Sequence, residues 1–320
     1  NNQYKPFINT LNEWHDLIKN NSKIVLGVDM KIKKISLILL ILFTLSGCSL
    51  FKHDTMENIN IATTNYAIEY ITNALYGDNS LVVSIYPDGV DIDNYNLTDK
   101  QIKDYCKKDL FIYMGSTNDS DIAVTLLNQN KKIKIIDATF GMEYKNTKDE
   151  LWLNPSNLLR QAQNIKNGLS EYITSTYLLK KIDANYLDLK VNLSSLDAEY
   201  KTSIEKSNFN TIVVNSDNLL FLEKYNLKVI SLDSNNENYE KNLALFKSYI
   251  RNETIKYFYT YENTLNSEEV NKIIEENKIE SLNIKNLKNI TDEERENGEN
   301  YLTIMYKNLE EIKKELYKAI

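Results

Sequence analysis

From residue 57 onward, short apolar runs alternate with longer segments that are polar or have the period of a helix. Eight of these runs have the length and β-branched content of buried strands. They are Ile59–Thr63, Leu81–Ile85, Leu110–Tyr113, Ile133–Ile136, Thr211–Val214, Lys228–Leu232, Lys256–Thr260 and Glu280–Ile284. Strands that alternate with helices are typical of parallel βα units. The pattern predicts an α/β fold with two lobes, each a parallel sheet flanked by helices.

One amphipathic stripe joins the two sets of strands. Its apolar residues recur three or four positions apart: Leu178, Ile182, Tyr186, Leu189, Leu193, Leu196, Tyr200 and Ile204. The stripe predicts a single helix over residues 175–206, about 48 Å long at 1.5 Å per residue, that holds the lobes rigidly together. A coiled-coil dimer seam is the alternative, but the stripe does not keep a heptad, so we expect a monomer. A second stripe predicts a closing C-terminal helix: Tyr301, Met305, Leu309, Ile312 and Leu316.

The three parts of a secretory signal lie near the N-terminus. A cationic stretch, Met30–Lys34, precedes the apolar run Ile35–Leu45, and Leu45–Cys48 follows. The apolar run is too short to cross a ~30 Å hydrocarbon core as a permanent helix. The segment resembles a bacterial lipoprotein signal, in which Cys48 would be the acylated N-terminus of the mature protein.

This interpretation divides the chain into six parts. They are an upstream extension (1–29), a signal peptide (30–47), a tether (48–56), an N-terminal lobe (57–170), the spine helix (171–206) and a C-terminal lobe with its closing helix (207–320). Because of this lipid anchor, we expect the mature protein to lie on the extracytoplasmic face of the bacterial cytoplasmic membrane.

Composition excludes several classes of function. The formal net charge is −7, with 38 Lys and Arg against 45 Asp and Glu, so a nucleic-acid partner is not expected. Eight glycines form no phosphate-binding loop motif. Two cysteines and two histidines are too few for a cysteine-based zinc site or a disulfide framework. We therefore expect a binding protein and not an enzyme. Hydrolysis by paired carboxylates of Asp93 and Glu150 is the one catalytic alternative.

Four motifs resemble those of the solute-binding lipoproteins of zinc and manganese ABC importers, a family that includes the adhesin lipoproteins. The motifs, in chain order, are Ser84–Asn96 with Thr98–Ile102, Asp149–Pro155, Val213–Leu227, and Tyr261–Thr264 with Tyr301–Leu309. The resemblance covers roughly residues 57–318. It implies that a solute is captured between the lobes and passed to a membrane permease driven by a cytoplasmic ATPase.

The resemblance also implies where the metal ligands would lie. The three histidine positions of the family fall on Asp93, Glu150 and Asn215, with Ser216 as the alternative for the third, and the acidic position falls on Glu262. Every ligand would then be an oxygen donor. Such a site suits Mn²⁺, Ca²⁺ or Mg²⁺ better than Zn²⁺. The alternative is a surface interaction lipoprotein that keeps the scaffold and has lost the metal.

Overall fold

The computed structural model of the chain describes residues 56–319. The predicted extension (1–29), the signal peptide (30–47), the lipidation site Cys48 and all of the tether except residue 56 lie outside the described residues. The domain bounds stay predictions. Within residues 56–319, no helix has both the length and the apolar character that crossing a membrane requires.

The N-terminal lobe is built on a four-stranded parallel sheet with the order β2-β1-β3-β4. The strands are β1 (Ile59–Thr63), β2 (Ser80–Ser84), β3 (Leu110–Tyr113) and β4 (Lys134–Asp137). The helices are α1 (Tyr66–Tyr76), α2 (Asp99–Tyr105), α3 (Asp119–Gln129), α4 (Glu150–Leu153) and α5 (Pro155–Tyr172), with a 3-10 turn at Gly77–Asn79. The winding direction changes between β1 and β3, so a crevice opens beyond the carboxyl ends of these two strands.

The C-terminal lobe repeats this topology, with the strand order β6-β5-β7-β8 and all pairs parallel. Its strands are β5 (Thr211–Val214), β6 (Lys228–Ser231), β7 (Tyr257–Tyr261) and β8 (Glu280–Ile284). A 3-10 helix (Asp217–Tyr225) follows β5, and α7 (Tyr239–Arg251), α8 (Glu268–Asn277), α9 (Asp292–Glu296) and α10 (Tyr301–Leu316) complete the lobe. Here the winding direction changes between β5 and β7.

The spine helix is confirmed as α6 (Thr176–Glu205), a single helix of 30 residues. The Ser175 hydroxyl caps its first turn by accepting from the Leu178 backbone N–H. Every residue of the predicted stripe is buried except Tyr186, which is partly buried. Helix α10 packs against the spine, where the Tyr200 hydroxyl donates to the Met305 carbonyl at 2.8 Å. One apolar core therefore runs along the spine through both lobes.

The eight predicted strands are all present, and four of them shift or shorten by one residue. The strand predicted at Leu81–Ile85 is observed at Ser80–Ser84. Ile85 is fully buried, which made it resemble a strand residue, but it follows the last paired residue of β2. Leu232 is likewise buried one residue after the end of β6. The N–H groups of Ile85 and Leu232 still donate to the carbonyls of Thr63 and Val214, so hydrophobic pattern alone cannot mark the last paired residue of a strand.

Candidate metal-binding cleft

The loops at the carboxyl ends of the two sheets meet and form the junction that we call the interlobe cleft. The Tyr261 hydroxyl, at the end of β7, donates to Asp149 Oδ2 at 2.7 Å. The Trp152 indole N–H, on α4, donates to the Asn286 carbonyl at 2.8 Å. Asn154 and Pro155 start the next helix, as N-cap and first helical residue, and so fix the position of α4. The motifs singled out in the sequence therefore lie at one junction.

Asp93 lies in the loop between β2 and α2, where its backbone N–H donates to Asp91 Oδ1 at 3.2 Å. Its carboxylate forms salt bridges with Lys148, at 3.3 Å, and with Lys288. Burial alone would raise the pKa of Asp93, but the two lysines outweigh it and lower the pKa. The carboxylate is therefore ionised, and its charge is already balanced by the protein.

Glu150 is the first residue of α4 and is buried. Its carboxylate accepts from the backbone N–H groups of Lys145, at 3.1 Å, and Asn146, at 3.0 Å. The Asn146 side-chain amide donates to the same carboxylate. Glu150 thus closes the loop that precedes its own helix.

Asn215 directly follows β5, and its side-chain amide is fully engaged by the protein. The amide oxygen accepts from the Tyr261 N–H at 2.7 Å, and the amide nitrogen donates to the Thr264 carbonyl and to Asn266 Oδ1. The alternative third ligand, Ser216, caps the 3-10 helix by accepting from the Asn218 N–H at 3.2 Å. Asn215 therefore ties the end of β5 to the end of β7 and the loop that follows, and Ser216 stabilises the turn after β5.

Glu262 directly follows β7, beside Asn215 at the point where the winding direction changes. Its carboxylate pairs with the Lys285 ammonium at 2.8 Å and accepts from the Asn286 N–H at 3.1 Å. Lys285 also pairs with Glu294 at 2.9 Å. Burial lowers the pKa of Lys285, but the two glutamates outweigh it and raise the pKa.

Three of the four predicted ligands thus lie in loops and Glu150 lies at the start of a helix, and each of the four has partners within the protein. In the part of the chain that the structure describes, no three His, Cys, Asp or Glu side chains are grouped so that they could hold a metal ion. The assignment of Asp93, Glu150, Asn215 and Glu262 as metal ligands stays a prediction.

Sequence reasoning missed two residues at the centre of the cleft, Lys288 and Asp149. The Lys288 ammonium contacts Asp93 and lies 3.4 Å from Asp149 Oδ2. The Lys288 side chain is only 11% exposed, and that of Asp149 only 1%. Asp149 stands next to Glu150 in a quoted motif, so the motif offered a signal. Lys288 lies in a polar loop after β8, which has no pattern that marks it.

Burial and the neighbouring charges act differently on the two members of this pair. It raises the pKa of Asp149, and Lys288 and the Tyr261 hydroxyl offset that rise only in part. Burial lowers the pKa of Lys288, but Asp149 and Asp93 outweigh it, so the pKa of Lys288 is raised. Lys288 therefore carries its positive charge between two carboxylates.

Two cavities flank the Lys288 side chain. One, of about 240 Å³, is also lined by Glu262 and Glu294. The other, of about 290 Å³, lies beyond the carboxyl ends of β1 and β3 and is lined by Asp93, Asp119 and Lys148 among others. Lys288 thus stands between a space that residues of both lobes line and a space in the N-terminal crevice.

Comparison with known proteins identifies the family. The model of the family described as "zinc-uptake complex component A periplasmic" (ZnuA) matches residues 61–315. The chain is 26% identical to the zinc-binding lipoprotein AdcA of Streptococcus pneumoniae, over 88% of this chain and 60% of AdcA. It is 22% identical to the high-affinity zinc uptake system protein ZnuA of Bacillus subtilis, over 81% of this chain and 88% of that protein. The chain thus spans about 60% of the length of AdcA.

Solved structures show the same fold. The metal-dependent lipoprotein YcdH from Bacillus subtilis superimposes with a TM-score of 0.68 at 20% identity, over 81% of this chain and 99% of that one. The Zn(II)-bound ZnuA-like domain of Streptococcus pneumoniae AdcA superimposes with a TM-score of 0.65 at 23% identity, with the same coverage. Both comparisons support two α/β lobes with parallel sheets.

Proposed function

Because the chain belongs to the family of periplasmic zinc-uptake complex component A, we propose that it is the solute-binding component of an ABC importer. It captures a divalent metal ion between its lobes and delivers the ion to a membrane permease driven by an ATPase. The observation that carries this proposal is the meeting of the carboxyl ends of both sheets at one cleft, shown by the Tyr261–Asp149 hydrogen bond. The protein binds its solute and does not transform it.

The donor atoms support an ion that prefers oxygen. Both histidines of the chain, His15 and His53, precede residue 56, so the lobes offer no imidazole. Carboxylate and amide oxygens at the predicted ligand positions suit Mn²⁺, Ca²⁺ or Mg²⁺ better than Zn²⁺. The solved AdcA relative is Zn(II)-bound, so the proposal includes a change of ion relative to that protein.

The proposal also covers where the protein works. The charged, apolar and Cys48 parts of the N-terminal segment support a lipid anchor on the extracytoplasmic face of the membrane. AdcA of Streptococcus pneumoniae carries the description lipoprotein, which is consistent with this. We propose a monomer, because the buried stripe of the spine helix is covered by the chain's own core.

One observation favours a second function, that of a surface interaction lipoprotein with a scaffold that no longer binds metal. Each predicted ligand is engaged by the protein itself, and a lysine ammonium lies between Asp93 and Asp149. A scaffold without metal needs such internal partners, since buried carboxylates without a cation or a donor are costly.

Metal binding separates the two functions. Elemental analysis of protein purified without chelator should find a divalent ion at close to one per chain. After chelator treatment, Mn²⁺ or Ca²⁺ should raise the melting temperature more than Zn²⁺ does. A hundredfold excess over Kd corresponds to about 2.7 kcal/mol of added stability. If no divalent cation binds or shifts the melting curve, the second function takes the place of the first.

A further inference from the structure

The cleft already contains a cation of its own. The Lys288 ammonium contacts Asp93 and approaches Asp149 to 3.4 Å, and the Lys288 side chain is only 11% exposed. A divalent ion bound by either carboxylate would be placed within a few ångströms of this ammonium. Two cations at such a distance repel each other, and the repulsion is strongest at Asp149, which is buried. The ammonium and a metal ion therefore exclude each other from these oxygens.

We propose that Lys288 is a tethered cation that competes with the divalent solute for Asp93 and Asp149, so that this residue determines how tightly the cleft binds metal. The inference rests on the proposed function, because it assigns a competitor at the same cleft. It shares Asp93 with the predicted ligand set and adds Asp149 and Lys288, which belong to none of the four predicted positions.

The surroundings of Lys288 provide space for its displacement. Lysine is a flexible side chain of four methylene groups that ends in a point charge. Cavities of about 240 and 290 Å³ adjoin it on two sides. Rotation of the side chain into either space would free both carboxylates without moving the backbone.

A carboxylate in the larger cavity offers a released ammonium a new partner. Asp119 lines that cavity together with Lys148 and Lys288. Within residues 56–319, no lysine or arginine forms a salt bridge with Asp119; Lys148 and Lys288 pair with Asp93 and Asp149 instead. A metal ion on Asp93 would release both lysines toward Asp119.

A purely structural role for Lys288 makes a different prediction. The segment after β8 connects the lobes through several other contacts. The Tyr66 N–H donates to the Lys288 carbonyl at 3.0 Å, the Gly89 N–H donates to the Ile290 carbonyl at 2.8 Å, and Arg295 pairs with Glu69 and Asp88. If the ammonium only held the lobes together, its removal would lower stability and leave the cleft no better at binding metal.

Calorimetric titration of Mn²⁺ into the chelator-treated full chain tests the proposal. Lys288→Met removes the charge and keeps much of the side-chain volume, and it should bind Mn²⁺ at least tenfold more tightly than the parent. Lys288→Arg keeps the charge and should bind no more tightly than the parent. The matched control is Lys318→Met. Lys318 is 8% exposed and pairs with the buried Glu315 far from the cleft, so its Mn²⁺ affinity should equal that of the parent.

The outcomes separate this inference from the proposed function. If the parent binds Mn²⁺ and Lys288→Met binds it no more tightly, the proposal that Lys288 competes with the metal is refuted and the proposed function stands. If the parent binds no divalent ion and Lys288→Met binds Mn²⁺, the competition by Lys288 is confirmed and the proposal that the protein transports a divalent metal ion is refuted. If neither protein binds Mn²⁺, both fail.

Loss of folding in Lys288→Met would itself be informative. In that case the titration is repeated with Lys288→Gln, whose amide still donates to one carboxylate, and circular dichroism is recorded with and without millimolar Mn²⁺. Recovery of folding by Mn²⁺ in either neutral variant supports the proposal, because the metal then replaces the ammonium. Two neutral variants that stay unfolded in Mn²⁺ would overturn it.

Discussion

The carboxylates of the interlobe cleft are held in two different ways. Asp93 and Asp149 share the ammonium of Lys288, a charge at the end of a flexible side chain. Glu150 is held by the backbone N–H groups of Lys145 and Asn146. An ammonium can leave by rotation of its own side chain. A backbone N–H can leave only if its loop changes shape.

This difference divides the cleft into an exchangeable part and a fixed part. A divalent cation can replace Lys288 at Asp93 and Asp149 while the backbone stays in place. Glu150 can bind a metal ion only if the loop of residues 145–150 changes conformation and releases the Glu150 carboxylate. Its proposed role as a ligand therefore requires a loop rearrangement. Substitutions in the fixed part should have the largest effects on stability.

Glu150→Gln should lower the free energy of unfolding by about 2–3 kcal/mol, because a buried carboxylate with three donors is replaced by an amide with a single acceptor oxygen. Urea denaturation measures the loss. The control is Glu276→Gln, an exposed acid on α8 whose change should stay within about 0.5 kcal/mol. Equal effects of the two substitutions would show that the backbone donors do not stabilise Glu150.

Tyr261→Phe should cost about 1–2 kcal/mol, since it removes the hydroxyl that donates to buried Asp149 at 2.7 Å and leaves the ring in place. Thermal denaturation compares it with Tyr177→Phe, at an exposed position on the spine helix. A loss no larger than that of the control would mean that Lys288 alone is sufficient to stabilise Asp149.

Asp197 forms a salt bridge with a lysine outside the predicted ligand set. The contribution of this pair to the pH dependence of the unfolding free energy serves as a reference for the carboxylates of the cleft. The Lys224 ammonium lies 2.7 Å from it. Burial alone would raise the pKa of Asp197, but bonds from Lys224 and Tyr225 outweigh it and lower the pKa. A lowered pKa stabilises the fold above the ordinary aspartate value, and this stabilisation is lost as the pH falls through the folded-state value.

Asp197→Asn should therefore flatten the fall in unfolding free energy below about pH 4. The effect should be at most about 1 kcal/mol, because both side chains are 31% exposed. Unfolding curves collected between pH 2 and 7 measure it. An acid limb as steep as that of the parent would contradict the assigned shift.

The smallest effect is expected at Lys148, whose salt bridge with Asp93 has a distance of 3.3 Å and joins two half-exposed side chains. Lys148→Met should change the free energy of unfolding by less than about 1 kcal/mol, and the difference should shrink as salt is added. Denaturation at low and high ionic strength measures both. A larger loss of unfolding free energy that does not depend on salt would show that Lys148 behaves like a buried charge, in contradiction to this prediction.

Hydrophobic pattern was sufficient to predict the fold. The spine helix and all eight strands follow from apolar periodicity, and strands such as Ile59–Thr63 and Glu280–Ile284 match to the residue. The cleft was predictable only in part. Motifs located Asp93 and Glu262, but their partners Lys288 and Lys285 lie in polar loops without periodicity. Contacts such as Trp152 with Asn286, 134 residues apart, depend on how the lobes pack.

The most direct test is a crystal structure of the full chain at saturating Mn²⁺, with anomalous diffraction recorded at the manganese edge. We predict an anomalous peak bound to Asp93 and Asp149, with the Lys288 ammonium moved into one of the adjoining cavities. A structure that lacks a peak at these two carboxylates and keeps Lys288 between them would contradict the account.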